Sequence, residues 1–365
     1  MGNFLTINSG KDYKHLDEGK VPVYGTGGYM LSVNESLSSV DAIGIGRKGT
    51  IDRPQYLKAP FWTVDTLFFL TTKNRFNLYY IYNLLQRIEW KQHDESTGVP
   101  SLSKNNVENI ITNVSEDIDE QQAIANYFKS LDSLIQTTTK KIASLKQMKS
   151  ACLVSMFPQE GETKPRVRFK GFEGEWNYVE LSECLTVCKD RNFSEVYGKN
   201  DVLSVSDDYG VVNQIELLGR SYAGRSVANY RILKTGDVVY TKSPLKVKPF
   251  GIIKVNEKET GIVSTLYAVY SPKDGVCSRF ISRYFEPAAR MNRYIHPLVN
   301  KGAKNDMKVS DENVLKGKIF IPSDIKEQQK IASFFSTLDT QISLQEQRLE
   351  KLKQIKSACL DKMFV

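Results

Sequence analysis

Histidine is scarce: the 365 residues contain three, His15, His93 and His296. None has a second ligand at a spacing that would hold a metal, which excludes HExxH-type zinc chemistry. Cysteine is scarce and odd in number, with five. Cys184 and Cys188 are spaced CxxxC with no matching second pair, so a zinc site is not expected. The apolar stretches are short and interrupted, so neither a signal peptide nor a membrane span is expected, and the place of action is read as the cytoplasm. The chain also lacks G-x-S-x-G, the glycine-rich and NPPY-type motifs of a methyltransferase, and a nuclease-like carboxylate cluster followed by Lys. Asp207-Asp208 reads as a turn. A chain without these groups is expected to bind and position, leaving chemistry to others.

What is present is a duplication. Glu120-Gln121-Gln122-Ala123-Ile124-Ala125 runs on to Lys149-Ser150-Ala151-Cys152-Leu153-Val154-Ser155-Met156-Phe157. Glu327-Gln328-Gln329-Lys330-Ile331-Ala332 runs on to Lys356-Ser357-Ala358-Cys359-Leu360-Asp361-Lys362-Met363-Phe364. Glu120 to Glu327 and Phe157 to Phe364 are both offset by 207, and about half the aligned positions are identical without a gap. Asp117 stands three residues before Glu120, as Asp324 does before Glu327, the spacing of a capping box. Apolar residues then follow at heptad spacing. They are Phe128, Leu131, Ile135, Ile142, Leu145, Cys152 and Met156 in one copy, and Phe335, Leu338, Ile342, Leu349, Leu352, Cys359 and Met363 in the other. Within this seam Cys acts as a small hydrophobe. Each unit predicts a helix of about 40 residues, about 60 Å long. A helix that polar outside its seam needs a partner. A homodimer zipper would supply one. Antiparallel pairing within the chain is the preferred reading, since the partner is already there. Lys149 and Lys356 interrupt both seams. They are expected off the dry core, near a helix-pair end or a partner, and not buried without a counter-charge.

Ahead of each helix lies a β-rich segment. Short strand-like runs alternate with glycine-rich turns over Val21–Tyr24, Gly25–Met30, Ala42–Gly46 and Phe61–Leu70 in the first, followed by a helix over 77–92 and a last strand at Ile110-Ile111. The second has strands within 201–205, 229–240 and 251–255, a helix over 278–291 and a last strand over 318–322. Residues 158–175 form a polar connector. The boundaries are therefore 1–116, 117–157, 158–322 and 323–365. The two β-rich parts share little sequence while the helices share much.

The formal net charge is +8, a hint of nucleic acid that gains weight where cations sit on loops. Lys11, Tyr13 and Lys14 form one basic–aromatic patch. Gly25-Thr26-Gly27-Gly28 lacks nucleotide-loop spacing and reads as a tight turn, though Thr26 and Tyr29 could still approach a phosphate backbone. Arg47 and Lys48 occupy a loop between strands, either a solvated tip or a guanine and phosphate contact. In the second half Arg220, Tyr222 and Arg225, then Lys242, Lys246 and Lys248, interleave cations with hydroxyls and aromatics. Lys301, Lys304 and Asn305 add a third loop.

The duplicated helix, together with Lys11–Leu16, Gly46-Arg47-Lys48-Gly49, Trp62–Thr66 and Arg168-Phe169-Lys170-Gly171-Phe172 with Trp176, resembles the specificity subunits of type I restriction–modification systems over nearly the whole chain. The resemblance implies an α+β fold: two β-rich target recognition domains separated by two long antiparallel coiled-coil helices with pseudo-two-fold symmetry. It implies that the chain binds double-stranded DNA at a bipartite, asymmetric site and has no catalytic site of its own. Two methyltransferase subunits and restriction/translocase subunits would be partners, and S-adenosylmethionine, ATP and Mg²⁺ would belong to them. The competing reading is a non-catalytic coiled-coil scaffold presenting two protein-binding domains. One departure from the family pattern stands out: the second half has a lead-in from Arg168 to Glu183, and the first half has none.

Overall fold

A computed structural model describes residues 1–73, 76–241, 247–301 and 307–364, without the side chains of 300, 301, 307 and 308. The chain forms two compact units: Met1–Lys141 with Gln345–Val365, and Ile142–Leu344. Their boundaries fall inside both long helices, so each unit holds part of each helix. The sequence boundaries, placed at helix starts, divide the chain along a different line.

In the first unit β1 (Leu5–Ser9), β2 (Glu18–Gly25), β3 (Gly28–Val33), β4 (Ala42–Gly46), β5 (Gln55–Leu57), β6 (Trp62–Thr63) and β7 (Leu67–Thr72) precede α1 (Leu78–Leu85), α2 (Lys104–Asn109) and α3 (Ile118–Ser155). One sheet runs β1-β7-β4-β5 and a smaller one β3-β2-β6. All five residues of β4 are buried, as befits a central strand. Gly46 is required there: a Cβ would lie 1.9 Å from the Thr50 carbonyl oxygen. The turn from β2 to β3 places Gly28 at φ +111°, so the glycine run is the tight turn its sequence suggests.

The second unit contains β8 (Asn177–Glu180), α4 (Leu181–Cys184), β9 (Leu185–Val187), β10 (Leu203–Ser206), β11 (Gly210–Asn213), α5 (Gln214–Leu218) and β12 (Arg231–Leu233). It continues with β13 (Val238–Thr241), β14 (Ile252–Val255), β15 (Gly261–Val263), β16 (Tyr267–Pro272), α6 (Ser278–Tyr284) and α7 (Ala288–Ile295). It ends with β17 (Asn300–Lys301), β18 (Met307–Lys308), α8 (Asp311–Val314), β19 (Lys318–Ile321) and α9 (Ile325–Met363). Its main sheet runs β9-β16-β13-β14. That is the order of the first unit's main sheet, strand for strand. The duplication therefore extends through domains whose sequences hardly match.

Three local expectations are corrected. The helix expected over 77–92 ends at Leu85, and a separate 3₁₀ turn covers Trp90–His93. The helix expected over 278–291 is two helices, α6 and α7, with Pro287 capping the second. Ile110-Ile111 is not a strand, and Ile111 is 94% exposed.

Asp117 and Asp324 do cap the long helices. Asp117 Oδ1 accepts from the Asp119 and Glu120 amides, and Asp324 Oδ1 from the Lys326 amide. The reciprocal half of the box is not made. Glu120 accepts from the Ser115 hydroxyl instead, and Glu327 turns to Arg168. The next residue explains the shared Gln. Gln121 and Gln328 are both buried. Gln121 accepts from the Asn77 amide at the start of α1 and donates to the Ser115 carbonyl. Gln328 accepts from the Cys277 amide at the start of α6 and donates to the Pro322 carbonyl. Each amide is satisfied at both ends, so each fastens a long helix to its own β-rich domain.

Within each unit the two helices run antiparallel. Phe128 packs on Phe364 at 5.9 Å between ring centroids, and Phe157 on Phe335 at 6.2 Å. Lys356 pairs with Asp132 at 2.7 Å, and Lys149 with Asp339 at 2.6 Å and with Glu286. The ring pairs and the Lys–Asp pairs are 207-residue images of one another, while Lys149–Glu286 is found in the second unit alone among the described residues. Both lysine side chains are largely buried, at 17% and 18% exposure, but each meets a counter-charge. The seam is imperfect at one end: Met156 is 3% exposed and its image Met363 is 37% exposed.

Arg283 joins the Lys149 group, with Asp339 at 2.6 Å and Glu286 at 3.0 Å. Burial pushes the Glu286 carboxyl up, but Lys149 and Arg283 more than reverse this and hold it below its ordinary 4.5. A depressed carboxylate stabilises the fold at all pH above its unfolded value and loses that contribution as pH falls through the folded one. The second unit's stability is therefore expected to stay level from neutral pH to about 5 and to drop below about 4. Glu286→Gln should flatten that drop. Urea midpoints across pH, read by hydrogen exchange within 278–295, test this.

Candidate nucleic-acid interface

In the first unit the predicted cations lie on loops pinned by their backbones. The Lys11 amide donates to the Thr63 carbonyl, and the Trp62 indole donates to the Lys11 carbonyl at 2.9 Å. Lys11 and Lys14 are exposed. Tyr13 is half-buried against the cluster of Val23, Trp62 and Leu67. The Arg47 and Lys48 amides both donate to the Thr66 carbonyl, and the Gly49 amide donates to the Pro100 carbonyl. Among the described residues neither side chain has an acidic partner, and the Arg47 guanidinium donates to the Asp65 carbonyl. The Arg47 guanidinium lies 5.8 Å from the centroid of the Phe68 ring, and Lys48 is exposed. Gln55 ties the glycine turn to this loop by donating to the Gly25 and Thr26 carbonyls at 3.0 and 3.2 Å. Thr26 Oγ1 would lie 3.7 Å from a Cβ at Gly49. Two loops separated in sequence thus share one surface. Tyr29, 63% exposed, lines a neighbouring cleft with Tyr13 and Lys14. Asp17 and Glu18 line that cleft too, so it is mixed in charge.

In the second unit Gly219, at φ +75°, ends α5. Arg220 then stacks on Tyr222 at 4.6 Å. The Tyr222 amide donates to Gln214 Oε1 at 2.7 Å, which fixes the loop to α5. Tyr222 is 58% exposed, and Arg220 and Arg225 are exposed. Planar cation and ring offered together suit contact with base or sugar faces.

Lys248 requires correction. It is 6% exposed and pairs with Asp207 at 2.7 Å, so its charge is neutralised inside the fold. Lys254 reaches the same carboxylate at 3.1 Å. Burial drives the Asp207 carboxyl up, yet the two ammonium groups bring it below its ordinary value. Burial holds Lys254 below its own ordinary value. The Asp207-Asp208 turn between β10 and β11 is thus an ion-pair anchor as well as a turn. A carboxylate next to a turn gave no sequence signal of that role. Lys242, Lys246, Lys304 and Asn305 lie outside the described residues, and of Lys301 only the backbone, in β17, is described. Exposed Phe193 (69%) and Tyr209 (70%) were not singled out in the sequence. Tyr209 sits in no cation-rich stretch, whereas Phe193 follows Lys189 and Arg191, so its signal was present in the sequence.

Among the described residues no cluster of His, Cys, Asp and Glu could hold a metal ion. No helix is long and apolar enough to cross a membrane. Two topologically equivalent β-rich domains, each fastened to a shared pair of long helices and each presenting basic–aromatic loops, define a duplicated recognition protein. The type I restriction modification DNA specificity domain matches residues 2–147 and 173–354, and the chain belongs to that family as a DNA-recognition subunit. The S subunit of a type I restriction–modification system from M. genitalium has a similar fold, with a TM-score of 0.67 at 13% identity, covering all of this chain and 94% of that one. The HsdS subunit from Thermoanaerobacter tengcongensis is similar at a TM-score of 0.44 and 14% identity, covering all of this chain and 95% of that one. Among curated proteins none matches the sequence.

Proposed function

We propose that this chain reads a bipartite, asymmetric DNA site and positions the catalytic subunits of a type I restriction–modification complex upon it. The observation that supports this is the contrast within the duplication. Helix contacts and sheet order are repeated, while the described basic loops stand at different places in that order: Arg47 and Lys48 follow β4, whereas Arg220 and Tyr222 follow α5, ahead of β13, the counterpart of β4. Two unlike readers on one repeated frame suit two unlike half-sites. Residues 1–116 and 158–322 are the readers in this scheme, and 117–157 and 323–365 are the spacer helices. Lys11, Lys14, Thr26, Tyr29, Arg47 and Lys48 serve the first half-site. Arg220, Tyr222 and Arg225, with the cations of 242–246 and 301–305, serve the second. Two methyltransferase subunits and the restriction/translocase subunits are the partners. S-adenosylmethionine, ATP and Mg²⁺ act in those subunits, in the cytoplasm.

Methylation mapping of a host with and without this chain is the direct test. A split, adenine-methylated motif should vanish completely when the chain is deleted and return with it. An unchanged methylome would overturn the proposal.

A further inference from the structure

Between β9 and β10, residues 192–197 of the second unit form a tight turn with an apolar tip. Phe193 is 69% exposed and Val196 is 75% exposed. The turn that carries them is firmly held. Asn192, only 1% exposed, donates from Nδ2 to the Tyr197 carbonyl at 2.8 Å and accepts at Oδ1 from the Tyr197 amide at 3.1 Å. The Asn192 amide donates to the Tyr230 carbonyl, and the Glu195 amide to the Asn192 carbonyl. Glu195 sits at φ +49°, a left-handed conformation that a residue with a Cβ keeps only where its surroundings enforce it. One exposed apolar side chain is ordinary. Two on a strained turn fixed by a buried amide call for a ligand.

The surroundings say which. The turn adjoins the loop of Arg220, Tyr222 and Arg225. The Ser226 hydroxyl donates to Glu195 Oε1 at 2.9 Å, and Asn192 Nδ2 also reaches the Val227 carbonyl at 3.4 Å. Tyr197 and Ala223 pack against one buried cluster, Val202, Val227 and Ile262. Lys189 and Arg191 precede the tip, and Lys199 follows it. None of these three cations meets a carboxylate among the described residues, while Asp190 is occupied by Lys234 at 3.0 Å. Glu195 is the one exposed acid within the turn, and it faces the Ser226 hydroxyl. An apolar tip set among unpaired cations fits a polyanion with stacked rings. Cations take the phosphates, and an apolar side chain enters between bases.

We propose that Phe193, with Val196 in the same turn, is a wedge that the second domain inserts at a base step of its half-site. Part of what this domain reads is then how readily that step unstacks. Pyrimidine–purine steps are favoured on this account without any hydrogen bond to their edges. Asn192 is the positioning residue that holds the wedge. The inference rests on the DNA recognition proposed above and adds to it a readout by deformation.

The test uses the full chain with its methyltransferase partner on a duplex carrying the mapped motif. 2-Aminopurine, which brightens when unstacked, replaces one at a time the purines away from the methylated adenines. Binding should brighten one position severalfold, in one half-site. Phe193→Ala should return that position to the free-duplex level and weaken binding at least about tenfold. It should leave the salt slope unchanged, because no phosphate contact is lost. Phe193→Trp should keep the signal. A mismatch at the same step should restore most of the affinity lost in Phe193→Ala, since unstacking is then nearly free. The side chain is exposed, so urea midpoints should not move. If the parent chain binds and no position brightens, or if Phe193→Ala binds and brightens as the parent does, the wedge is overturned and DNA recognition stands. If the parent chain does not bind the motif at all, the recognition reading itself is overturned and the wedge goes with it.

Discussion

Glu327→Ala should destabilise the second unit by about 3–5 kcal/mol, the cost of removing one partner from a buried ion pair. The same substitution at the repeat position, Glu120→Ala, should cost about 1 kcal/mol or less, the value of one exposed hydrogen bond. The sequence context is nearly the same, Glu-Gln-Gln in both, so the difference isolates environment. Glu327 is 1% exposed and takes both oxygens to Arg168, whose side chain is 17% exposed. Without the carboxylate, the guanidinium keeps only the Gly174 and Glu173 carbonyls and remains largely out of water. Arg168→Ala should be at least as damaging, since it strands the more deeply buried charge. The double substitution should cost less than the sum, because neither charge is then stranded. Two units need not unfold together, so the readout is local: hydrogen exchange within 166–180 and 318–335 against urea. A Glu327→Ala protein within 1 kcal/mol of the parent would show that this pair contributes little.

The long helices were legible because their determinants are local and repeated. Asp117 and Asp324 as caps, and apolar residues at heptad spacing, depend on chain neighbours alone. The roles of Glu327 and Gln328 were not legible, because their partners Arg168, Cys277 and Pro322 are set by tertiary packing. Likewise the first-half strand at Ile110-Ile111 had the composition of a strand and lacked a described neighbour to pair with. The basic loops were found by charge density. That criterion located Arg47, Lys48, Arg220 and Arg225, all exposed. It failed at Lys248, because density is blind to a carboxylate 41 residues away in the chain that folds onto the ammonium. Equivalence of the two sheets could not be read at all. Strand order is a property of pairing, and unrelated β-branched sequences satisfy the same order.

Reversing the charge at Arg47 and Lys48 together should reduce specific DNA affinity by at least a hundredfold while leaving the fold intact. The loop is held by its own backbone: both amides donate to the Thr66 carbonyl, and the Leu102 amide donates to the Arg47 carbonyl. None of these bonds involves the side chains, so the fold has little reason to respond. A lost bidentate arginine–guanine contact costs about 1–3 kcal/mol of discrimination, and each lost phosphate contact lowers the salt slope by about 0.9. Two reversed charges add repulsion to both losses. Filter binding or anisotropy on the methylated motif's sequence, at several salt concentrations with the methyltransferase partner present, separates the effects. Arg47→Ala alone should relax base preference within the first half-site. Lys48→Ala alone should weaken binding to every sequence and flatten the salt dependence. Lys248→Ala is the control, because its ammonium is buried on Asp207. It should lower stability and leave the salt slope unchanged. A two-domain protein scaffold would tolerate the reversal at Arg47 and Lys48 with no change in DNA binding, and that outcome would remove the basic loops from the recognition surface.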